Sequence, residues 1–443
     1  MRQIVRHLNP SHCIAVASTQ SGKTTCLAVP TILDDEDDSL IIHDPKDEGD
    51  PIPGGELYTL TAGWRAQVSK VIRFQPLSAT SHRYDPLRAV RLHKPQEIRD
   101  LQLIADMLTD PDGTLAEDVS DSGVHFKQIA SDIHLGTLTH GLYTRSATTL
   151  GDFYGVWSGG TGIDELAKTM AATRHCDGRC HPAVVQAVRT IQETADREKS
   201  SLVNTARRAL RLWADPLVRR ATSGSDFTLQ DLREGVRPFT LYVSFPFADA
   251  ERMRPLSRLL LRQCLEYAAA RARGWSFKLT AILDEFQSLG NLPLLRHLLN
   301  YSLGRGVTLL LITPSLNEVD KVWGRHHPFL EGCGTKMVFG VRDGQVAERF
   351  LDALPTHTVL HRRTSWTPNT WGIGSRKTIS EEEREEPLVS RSGLILLDDD
   401  KLLAQLGKHT ALLRKAYYKD NRVWLRRSQL PIPGEEGTCS RWR

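Results

Sequence analysis

The sequence predicts an α/β protein with a mostly parallel sheet. Seven short apolar runs have the length of buried strands, and helical patterns separate most of them. Strands that alternate with helices favour a parallel sheet covered on both faces. Two of these runs end in residue types that commonly bind phosphate or a metal ion. The predicted strands are residues 14–17, 40–43, 71–74, 240–245, 279–283, 307–312 and 337–341.

The first predicted strand leads into a glycine-containing loop. Residues 18–25 read Ser-Thr-Gln-Ser-Gly-Lys-Thr-Thr, and small residues let successive backbone N–H groups surround phosphate oxygens. We expect Lys23 to reach the β- and γ-phosphates and the Thr24 hydroxyl to bind Mg²⁺. The helix predicted over residues 25–33 presents its partly positive N-terminus to the anion. The full pattern has glycine where this chain has Ala17, so a chance glycine turn stays open as the alternative.

A second motif follows the predicted strand 279–283. This run ends in Asp284 and Glu285, and phosphoryl transfer mainly requires positioning and neutralisation of charge. We expect Asp284 to hold Mg²⁺ with Thr24, and Glu285 to polarise the water that attacks the γ-phosphorus. Taken alone, the Asp-Glu pair is a common strand end, whereas together with the loop it predicts a site for ATP and Mg²⁺. The predicted nucleotide-binding residues are Ser18, Thr19, Gln20, Ser21, Gly22, Lys23, Thr24, Thr25 and Asp284.

Size and composition are those of an ordinary globular protein. A chain of 443 residues favours two domains, and 40% of its residues are apolar and 25% charged. The net charge of +4, from 57 basic and 53 acidic residues, neither requires nor excludes nucleic acid. Seven unpaired-looking cysteines fit a reducing compartment. The sequence has no apolar stretch of membrane-spanning length and no signal peptide, so we expect a cytoplasmic protein.

The middle of the chain lacks strand patterns. Helical patterns dominate from about residue 94 to 217, for example over residues 96–108, 124–138 and 182–213. We therefore predict a nucleotide-binding motor domain formed by residues 1–93 and 218–443, with residues 94–217 as an inserted all-α domain. The glutamate-rich residues 380–386 are predicted to belong to a mobile surface segment.

Two further groups of polar residues leave alternatives open. Asp44 ends the second predicted strand, and ligands bind at the carboxyl edge of parallel sheets. Asp44 and Lys46 therefore lie either near the nucleotide or at an ordinary surface strand end. Four potential zinc ligands also occur within seven residues, but zinc normally draws its ligands from separated segments, so an exposed polar loop is favoured. These four are His175, Cys176, Cys180 and His181.

Arginines with helical spacing are the candidates for nucleic-acid contact. Arg254, Arg258 and Arg262 recur every four residues, so they share one face of a helix. This face either follows the phosphates of a nucleic acid or is a solvated or ion-paired surface. No aromatic platform for single strands accompanies it, and sequence-specific recognition is not expected.

Several ordered segments resemble the coupling-protein ATPases of type IV secretion and bacterial conjugation. The similarity is carried by residues 281–295, 304–312 and 315–324, and it continues through most of the chain in the family's order. The further matching segments are residues 17–33, 42–46, 55–62, 84–87, 222–227, 255–261 and 415–420.

The resemblance implies a RecA-like P-loop NTPase with an all-α domain at the same place in the order. It implies a homo-hexameric motor at the cytoplasmic face of the bacterial inner membrane. Such a motor hydrolyses ATP and recruits or pumps relaxase-bound single-stranded DNA, or effector proteins, into a channel of secretion subunits. The family's N-terminal membrane helices have no counterpart here, so membrane contact is expected only through a missing or separate anchor.

Two positions are compared with the pattern of the resembled family: Pro314 departs from it, and Arg305 is a candidate for one of its catalytic residues. A glutamine that senses the γ-phosphate is expected where this chain has Pro314, and proline cannot make that contact, although Thr313 or Ser315 are possible substitutes. Ring ATPases often use an arginine from the neighbouring subunit, and Arg305 is the nearest candidate for this catalytic role. The alternative is that Arg305 is an exposed arginine at a helix end.

Three functions follow as hypotheses. The leading one is an ATP-hydrolysing coupling protein for conjugation or type IV secretion. The second is a P-loop DNA translocase or helicase of another mobile-element pathway. The third is a degenerate recruitment module that binds nucleotide, or only docks cargo, without turnover, and it is favoured by Ala17, by Pro314 and by the lack of a membrane anchor.

Overall fold

A computed structural model of the chain describes residues 11–18, 20–47, 55–111, 113, 122–160, 162–271, 273–354, 356–368 and 375–433. The strands are β1 (Cys13–Val16), β2 (Ser39–Asp47), β3 (Lys70–Phe74), β4 (Phe239–Pro246), β5 (Leu279–Leu283), β6 (Val307–Thr313), β7 (Thr335–Val338), β8 (Thr356–Pro368), β9 (Ser375–Pro387), β10 (Lys401–Leu406) and β11 (His409–Arg414). Within the described ranges, nine of these strands form one sheet in the order β11-β10-β7-β1-β6-β5-β2-β4-β3.

The sheet is mostly parallel, as predicted. The seven strands from β7 to β3 in this order all run in the same direction. The strands β10 and β11 extend the sheet beyond β7 in antiparallel pairing. Consequently the ends of β1, β2 and β5 lie at one edge of the sheet, which is the carboxyl edge where ligands bind in parallel α/β folds.

Apolar runs form the central strands because both faces of the sheet are covered. In β1, Ile14 and Val16 belong to the hydrophobic core on one face, whereas Ala15 belongs to the core on the other. In β5, Ala281 and Leu283 face the first core and Ile282 the second. Side chains alternate along a strand, so a strand buried on both faces is apolar along most of its length.

Helices cover the two faces of the sheet and form a block of their own. They are α1 (Val29–Asp34), α2 (Glu56–Val68), α3 (Glu97–Thr109), α4 (Ser122–Thr144), α5 (Leu150–Ser158), α6 (Ile163–Ala172), α7 (Pro182–Glu193), α8 (Asp196–Ala209), α9 (Pro216–Ala221), α10 (Asp231–Glu234), α11 (Ala250–Ala270), α12 (Pro293–Tyr301), α13 (Leu316–Trp323), α14 (Phe329–Gly332), α15 (Gly344–Asp352), α16 (Arg391–Ile395) and α17 (Arg422–Ser428). Helices α1, α2 and α17 pack together on one face.

The described residues between positions 94 and 217 form helices and contain no strand. One hydrophobic core runs from the sheet into this block, since Ile133 of α4 and Leu202 of α8 belong to the same cluster as Ile14 of β1. The division into residues 1–93 with 218–443 and residues 94–217 stays a prediction. A search of the described residues finds no helix long and apolar enough to cross a membrane.

Three local predictions differ from the structure. Residues 380–386, predicted as a mobile surface segment, belong to β9, which pairs with β8 in a long antiparallel hairpin, and residues 380–385 are exposed. The single helical pattern over residues 182–213 is divided into α7 and α8 by extended backbone at Thr194 and Ala195. The helix predicted over residues 25–33 begins as one π-helical turn, Thr24–Ala28, and continues as α1.

Candidate nucleotide-binding site

The glycine-containing loop connects β1 to the π-helical turn at Thr24. Gln20 and Gly22 have φ angles of 63° and 88°, and backbone in the left-handed region lets neighbouring N–H groups converge on one side. The Gly22 carbonyl accepts hydrogen bonds from the backbone N–H of Cys26 at 2.9 Å and from Thr25 Oγ1 at 3.3 Å. The loop therefore has the curled backbone that an anion requires.

The predicted phosphate-binding residues that the structure describes, 18 and 20–25, lie in the glycine-containing loop or in the π-helical turn that follows it. Thr19 is outside the described residues. Ser21 Oγ is buried and, among the described residues, has no hydrogen-bond partner. Ala17 is fully buried, and its N–H donates to the Thr313 carbonyl of β6 at 2.9 Å.

The structure brings the loop lysine and the acidic pair together. Lys23 Nζ lies 3.3 Å from Glu285 Oε1 and 3.7 Å from Asp284 Oδ1. The approach follows from the strand order, because only β6 separates β5 from β1 and both strands end at the same edge. Asp284 is buried, with a side-chain exposure of 1%, whereas Glu285 retains 21%.

Glu285 has an unusual backbone conformation. Its φ and ψ are 51° and 47°, in the left-handed region, where a non-glycine residue carries a cost of about 1–2 kcal/mol. Its N–H donates to Asp284 Oδ1 at 3.1 Å. Strained residues of this kind cluster at functional sites, where the surrounding structure holds them in place. This conformation turns the chain sharply after β5 and places Glu285 beside Lys23.

Lys46 is a second cation at the acidic pair. Its Nζ lies 2.8 Å from Asp284 Oδ2 and 3.6 Å from Glu285 Oε1. Burial opposes the charge on Lys46, but the two carboxylates outweigh this effect and raise the pKa of its ammonium group above the usual value. Of the two possibilities for Lys46, the structure supports a position inside the candidate site.

Asp44 is buried and caps a helix. Its Oδ2 accepts hydrogen bonds from the N–H groups of Leu57 at 2.8 Å and Tyr58 at 3.4 Å, in the first turn of α2. Burial, followed by the nearby charge of Asp284, raises the pKa of Asp44 to about 7. A Cβ at Gly55 would lie 2.2 Å from this oxygen, so only glycine leaves room for the cap. Asp44 is therefore no surface strand end.

Arg305 lies away from these groups within the same chain. It precedes β6, whereas Lys23 follows the parallel strand β1, so the two residues are at opposite edges of the sheet. Its guanidinium donates to the carbonyls of Ala269 and Ala270 at the end of α11, at 2.9 and 2.8 Å. The role of Arg305 in a neighbouring subunit stays a prediction.

The residues around Pro314 are engaged in local hydrogen bonds. Thr313 Oγ1 donates to the Ser315 carbonyl at 3.0 Å, and Ser315 Oγ accepts from the Asn317 N–H as the cap of α13. The Thr313 hydroxyl thus already uses its hydrogen, whereas the Ser315 hydroxyl accepts and keeps its own hydrogen for another acceptor.

The histidine and cysteine cluster forms an internal network and an exposed turn. His181 Nε2 donates to Glu97 Oε1 at 3.1 Å, and a ring nitrogen of His140 is 3.0 Å from one of His175. Cys176 pairs with Arg179 across a tight turn. In the part of the chain that the structure describes, no three His, Cys, Asp or Glu side chains are arranged to hold a metal ion. The geometry thus supports a polar loop here.

The predicted row of arginines is not uniformly exposed. Arg258 is only 1% exposed, and its guanidinium donates to the carbonyls of Pro111 and Asn291. Arg254 Nε donates to the Ser288 carbonyl at 3.0 Å. These two side chains join α11 to the loops beside it, whereas Arg262 Nε lies 3.7 Å from Glu266 Oε2 and its side chain is 31% exposed, so the row is not one continuous solvated face.

Sequence reasoning missed Lys415. Its Nζ donates to the carbonyl of Ser21, inside the glycine-containing loop, at 2.7 Å. The sequence contains no local signal for this contact, because the two residues are 394 positions apart.

A curled loop at the end of β1, a lysine at its helix and a buried acidic pair after β5 are the features of a P-loop nucleotide-binding α/β protein. The sequence matches the family described as "Type IV secretory system Conjugative DNA transfer" over residues 2–433. The chain therefore belongs to this family of conjugative coupling proteins.

Two curated relatives extend the comparison. The chain is 30% identical over 406 residues to the conjugal transfer protein TraG of Escherichia coli, which covers 87% of this chain and 62% of that protein. It is 27% identical over 428 residues to protein VirD4 of Agrobacterium fabrum, covering 93% of this chain and 59% of that protein. The chain thus spans about three-fifths of the length of these two relatives.

Solved structures show the same fold. The conjugative coupling protein TrwBdeltaN70 has a TM-score of 0.66 and 16% identity, covering 91% of this chain and 84% of that one. TrwB was also solved with ADP and Mg²⁺, and with a non-hydrolysable ATP analogue, the latter with a TM-score of 0.67 and 16% identity over 92% of this chain and 85% of that one. The fold is accordingly that of a RecA-like α/β P-loop NTPase, as the sequence predicts.

Proposed function

We propose that this chain is an ATP-hydrolysing coupling protein. It recruits or pumps relaxase-bound single-stranded DNA, or effector proteins, into a conjugation or type IV secretion channel. The observation that carries the proposal is the junction of Lys23 with Asp284 and Glu285, which come from two strands that end at the same edge of the sheet. Membership of the conjugative DNA transfer family supports a role in DNA transfer.

The residues present fit a magnesium nucleotide. The curled backbone at Gln20 and Gly22 and the unpartnered buried hydroxyl of Ser21 provide donors for phosphate oxygens. Thr24 and Asp284 carry the hard oxygen ligands that Mg²⁺ prefers. The related TrwB was solved with ADP and Mg²⁺, which agrees with this donor set.

The ion pairs suggest how the site's own residues act. Lys23 neutralises the acidic pair in this structure, and we propose that it turns to the β- and γ-phosphates when ATP binds. Glu285 is then free to orient and polarise the attacking water, while Lys46 keeps the buried Asp284 charge compensated. Bound Mg²⁺ supplies neutralisation of phosphate charge.

We further propose that the motor works as a homo-hexamer at the cytoplasmic face of the inner membrane, with channel subunits as its partners. In such a ring Arg305 reaches the site of a neighbouring subunit. To do so its guanidinium must exchange the carbonyls of Ala269 and Ala270 for phosphate oxygens. Residues 94–217 are proposed to act as a separate helical domain.

Phosphate release from ATP tests the proposal. The parent chain is compared with Lys23→Ala and Glu285→Gln, each without DNA, with single-stranded DNA and with duplex. We expect turnover that single strands stimulate, loss of nucleotide binding in Lys23→Ala, and retained binding without turnover in Glu285→Gln. A preference for duplex would instead indicate a translocase of another pathway.

A specific observation favours one second candidate, a nucleotide-binding recruitment module without turnover. Pro314 lacks a donor, and the Thr313 hydroxyl already donates to the Ser315 carbonyl, so the Ser315 hydroxyl is the remaining substitute. If the parent binds Mg·ATP but releases no phosphate under any condition, this second function is the correct one. Binding of a relaxase or effector by the nucleotide-bound chain would then be its activity.

A further inference from the structure

The segment after β11 lies against the phosphate-binding loop. Lys415 Nζ donates to the Ser21 carbonyl at 2.7 Å. A Cβ at Gly22 would lie 3.2 Å from Cε1 of Tyr417, so the tyrosine ring covers this glycine closely. Residues 415–418, which we call the C-terminal brace, thus contact two consecutive residues of the loop.

The charge of Lys415 is buried and directed at the loop. Its exposure is 7%, and no ion pair with a carboxylate of the described residues is found. The ammonium group instead lies 5.6 Å from the centre of the Phe339 ring and hydrogen-bonds a backbone carbonyl. Hydrogen bonds from charged donors are worth more than neutral ones, about 1.5–3 kcal/mol. The contact with Ser21 is therefore the main polar anchor of this side chain.

The brace is held at its first residue, and the helix that follows it is held as well. The Lys415 N–H donates to the Asp400 carbonyl at 2.7 Å. Beyond the brace, α17 reaches the end of α1, where Arg427 Nη1 donates to the Leu33 carbonyl at 2.6 Å. The segment after β11 therefore contacts both the loop and the far end of the helix that follows it.

Holding the Ser21 carbonyl also orients the next N–H group. A trans peptide directs its C=O and N–H to opposite sides, so a Ser21 carbonyl held by Lys415 turns the Gly22 N–H away from Lys415. In the strand order, β11 lies on one side of β1, and β5 with its acidic pair lies on the other. The Gly22 N–H is thereby directed away from the brace, which follows β11.

We infer that Lys415 is a positioning residue of the nucleotide site, which fixes the Ser21–Gly22 peptide so that its N–H donates to the phosphates. This inference rests on the proposed nucleotide binding and deepens it, because it adds a function for the brace. Glycine at position 22 adopts a φ of 88°, so without Lys415 this peptide is free to rotate and the phosphates lose a preoriented donor.

Equilibrium binding of Mg·ADP and of a non-hydrolysable Mg·ATP analogue to the full chain tests the inference. We expect Lys415→Met to weaken both about tenfold, which corresponds to the loss of about 1.4 kcal/mol. Lys415→Arg, which keeps a charged donor, should recover most of the affinity. If Lys415→Met does not fold, Lys415→Gln serves in its place, because its amide donates without a charge, and a roughly threefold loss is expected.

Lys336→Met is the matched control. Lys336 has the same 7% exposure and donates to Gln405 Oε1 at 2.8 Å, within the β7–β10 part of the sheet. Its substitution removes a similar buried lysine without touching the loop, so nucleotide affinity should not change. In turnover, Lys415→Met should raise KM for ATP and leave kcat largely intact, whereas Glu285→Gln should abolish kcat.

The two proposals fail in different ways. If the parent chain binds nucleotide and Lys415→Met binds it within twofold of the parent, the positioning role is refuted and the proposed function stands. Equal weakening by Lys336→Met would refute it too, since general loss of stability would explain the effect. If the parent binds no nucleotide, both proposals are refuted.

Discussion

Replacing Lys46 by methionine should destabilise the chain and increase the amount by which Mg²⁺ raises its melting temperature. Lys46 Nζ lies 2.8 Å from Asp284 Oδ2, and the side chain of Asp284 is 1% exposed. Methionine keeps the length of the lysine stem and removes only the charge. The buried carboxylate is then left with Lys23, whose Nζ is 3.7 Å from Asp284 Oδ1, as its compensating cation.

The expected cost follows from these distances. Two unit charges about 4 Å apart interact by about 4 kcal/mol at an effective dielectric constant near 20. Lys46 is 29% exposed, and Lys23 continues to neutralise Asp284, so roughly half of this interaction is lost. We therefore expect about 2 kcal/mol less stability, which for a chain of this size lowers the melting temperature by roughly 2 °C.

Thermal unfolding of Lys46→Met and Lys46→Arg, each with and without Mg²⁺, measures this effect. The arginine variant keeps the charge and should melt close to the parent. Mg²⁺ should raise the melting temperature of Lys46→Met more than that of the parent, because the ion replaces the missing cation at the acidic pair. Equal melting of Lys46→Met and the parent, or an equal response to Mg²⁺, would refute the reasoning.

Three further predictions concern the cap of α2, a buried histidine and the subunit contact. In urea unfolding, Gly55→Ala should lower the free energy of unfolding by at least about 2 kcal/mol, because the new Cβ would lie 2.2 Å from the Asp44 carboxylate that caps α2. Gly304→Ala is the control and should change the stability little, because a Cβ there would meet nothing within 4 Å. Burial lowers the pKa of His134 to about 4 from 6.5. The unfolded chain therefore binds a proton at this histidine more tightly than the folded chain does. The free energy of unfolding consequently falls by about 3 kcal/mol as the pH falls from 6.5 to 4. Urea unfolding at pH 7 and 4.5 measures this contribution: His134→Gln should lose about 2 kcal/mol less stability over this interval than the parent, in which buried His12, whose pKa is also lowered to about 4, titrates as well. If Arg305 acts on a neighbouring subunit, mixing inactive Lys23→Ala chains with inactive Arg305→Ala chains should restore phosphate release, and no restoration would exclude that role.

The central strands could be predicted from sequence because burial on both faces leaves a continuous apolar run. This holds for β1, β5 and β6, whose side chains face one or the other hydrophobic core. The hairpin of β8 and β9 escaped prediction because its side chains are largely exposed, and its strand 375–387 is rich in glutamate. Neither glycine nor proline marks the break between α7 and α8, so a continuous helical pattern concealed it.

Some residues of the candidate site could be predicted from the sequence, whereas the burial of others could not. The phosphate-binding loop and the Asp284-Glu285 pair are each local in sequence, so residue type and spacing were enough to predict them. The burial of Arg258 was not predictable, since helical spacing tells which residues share a face but not what covers that face.

By itself, the sequence determined the α/β class, the strands of the central sheet, the phosphate-binding loop and the acidic pair, because each depends on residues close together in the chain. Only the tertiary structure decided that Lys46, like Lys23, pairs with the acidic residues, and that Asp44 is a buried helix cap. It also decided that Lys415 donates to the Ser21 carbonyl of the loop. These contacts depend on the order of strands in the sheet. That order is set by the packing of the whole chain, and no local pattern encodes it.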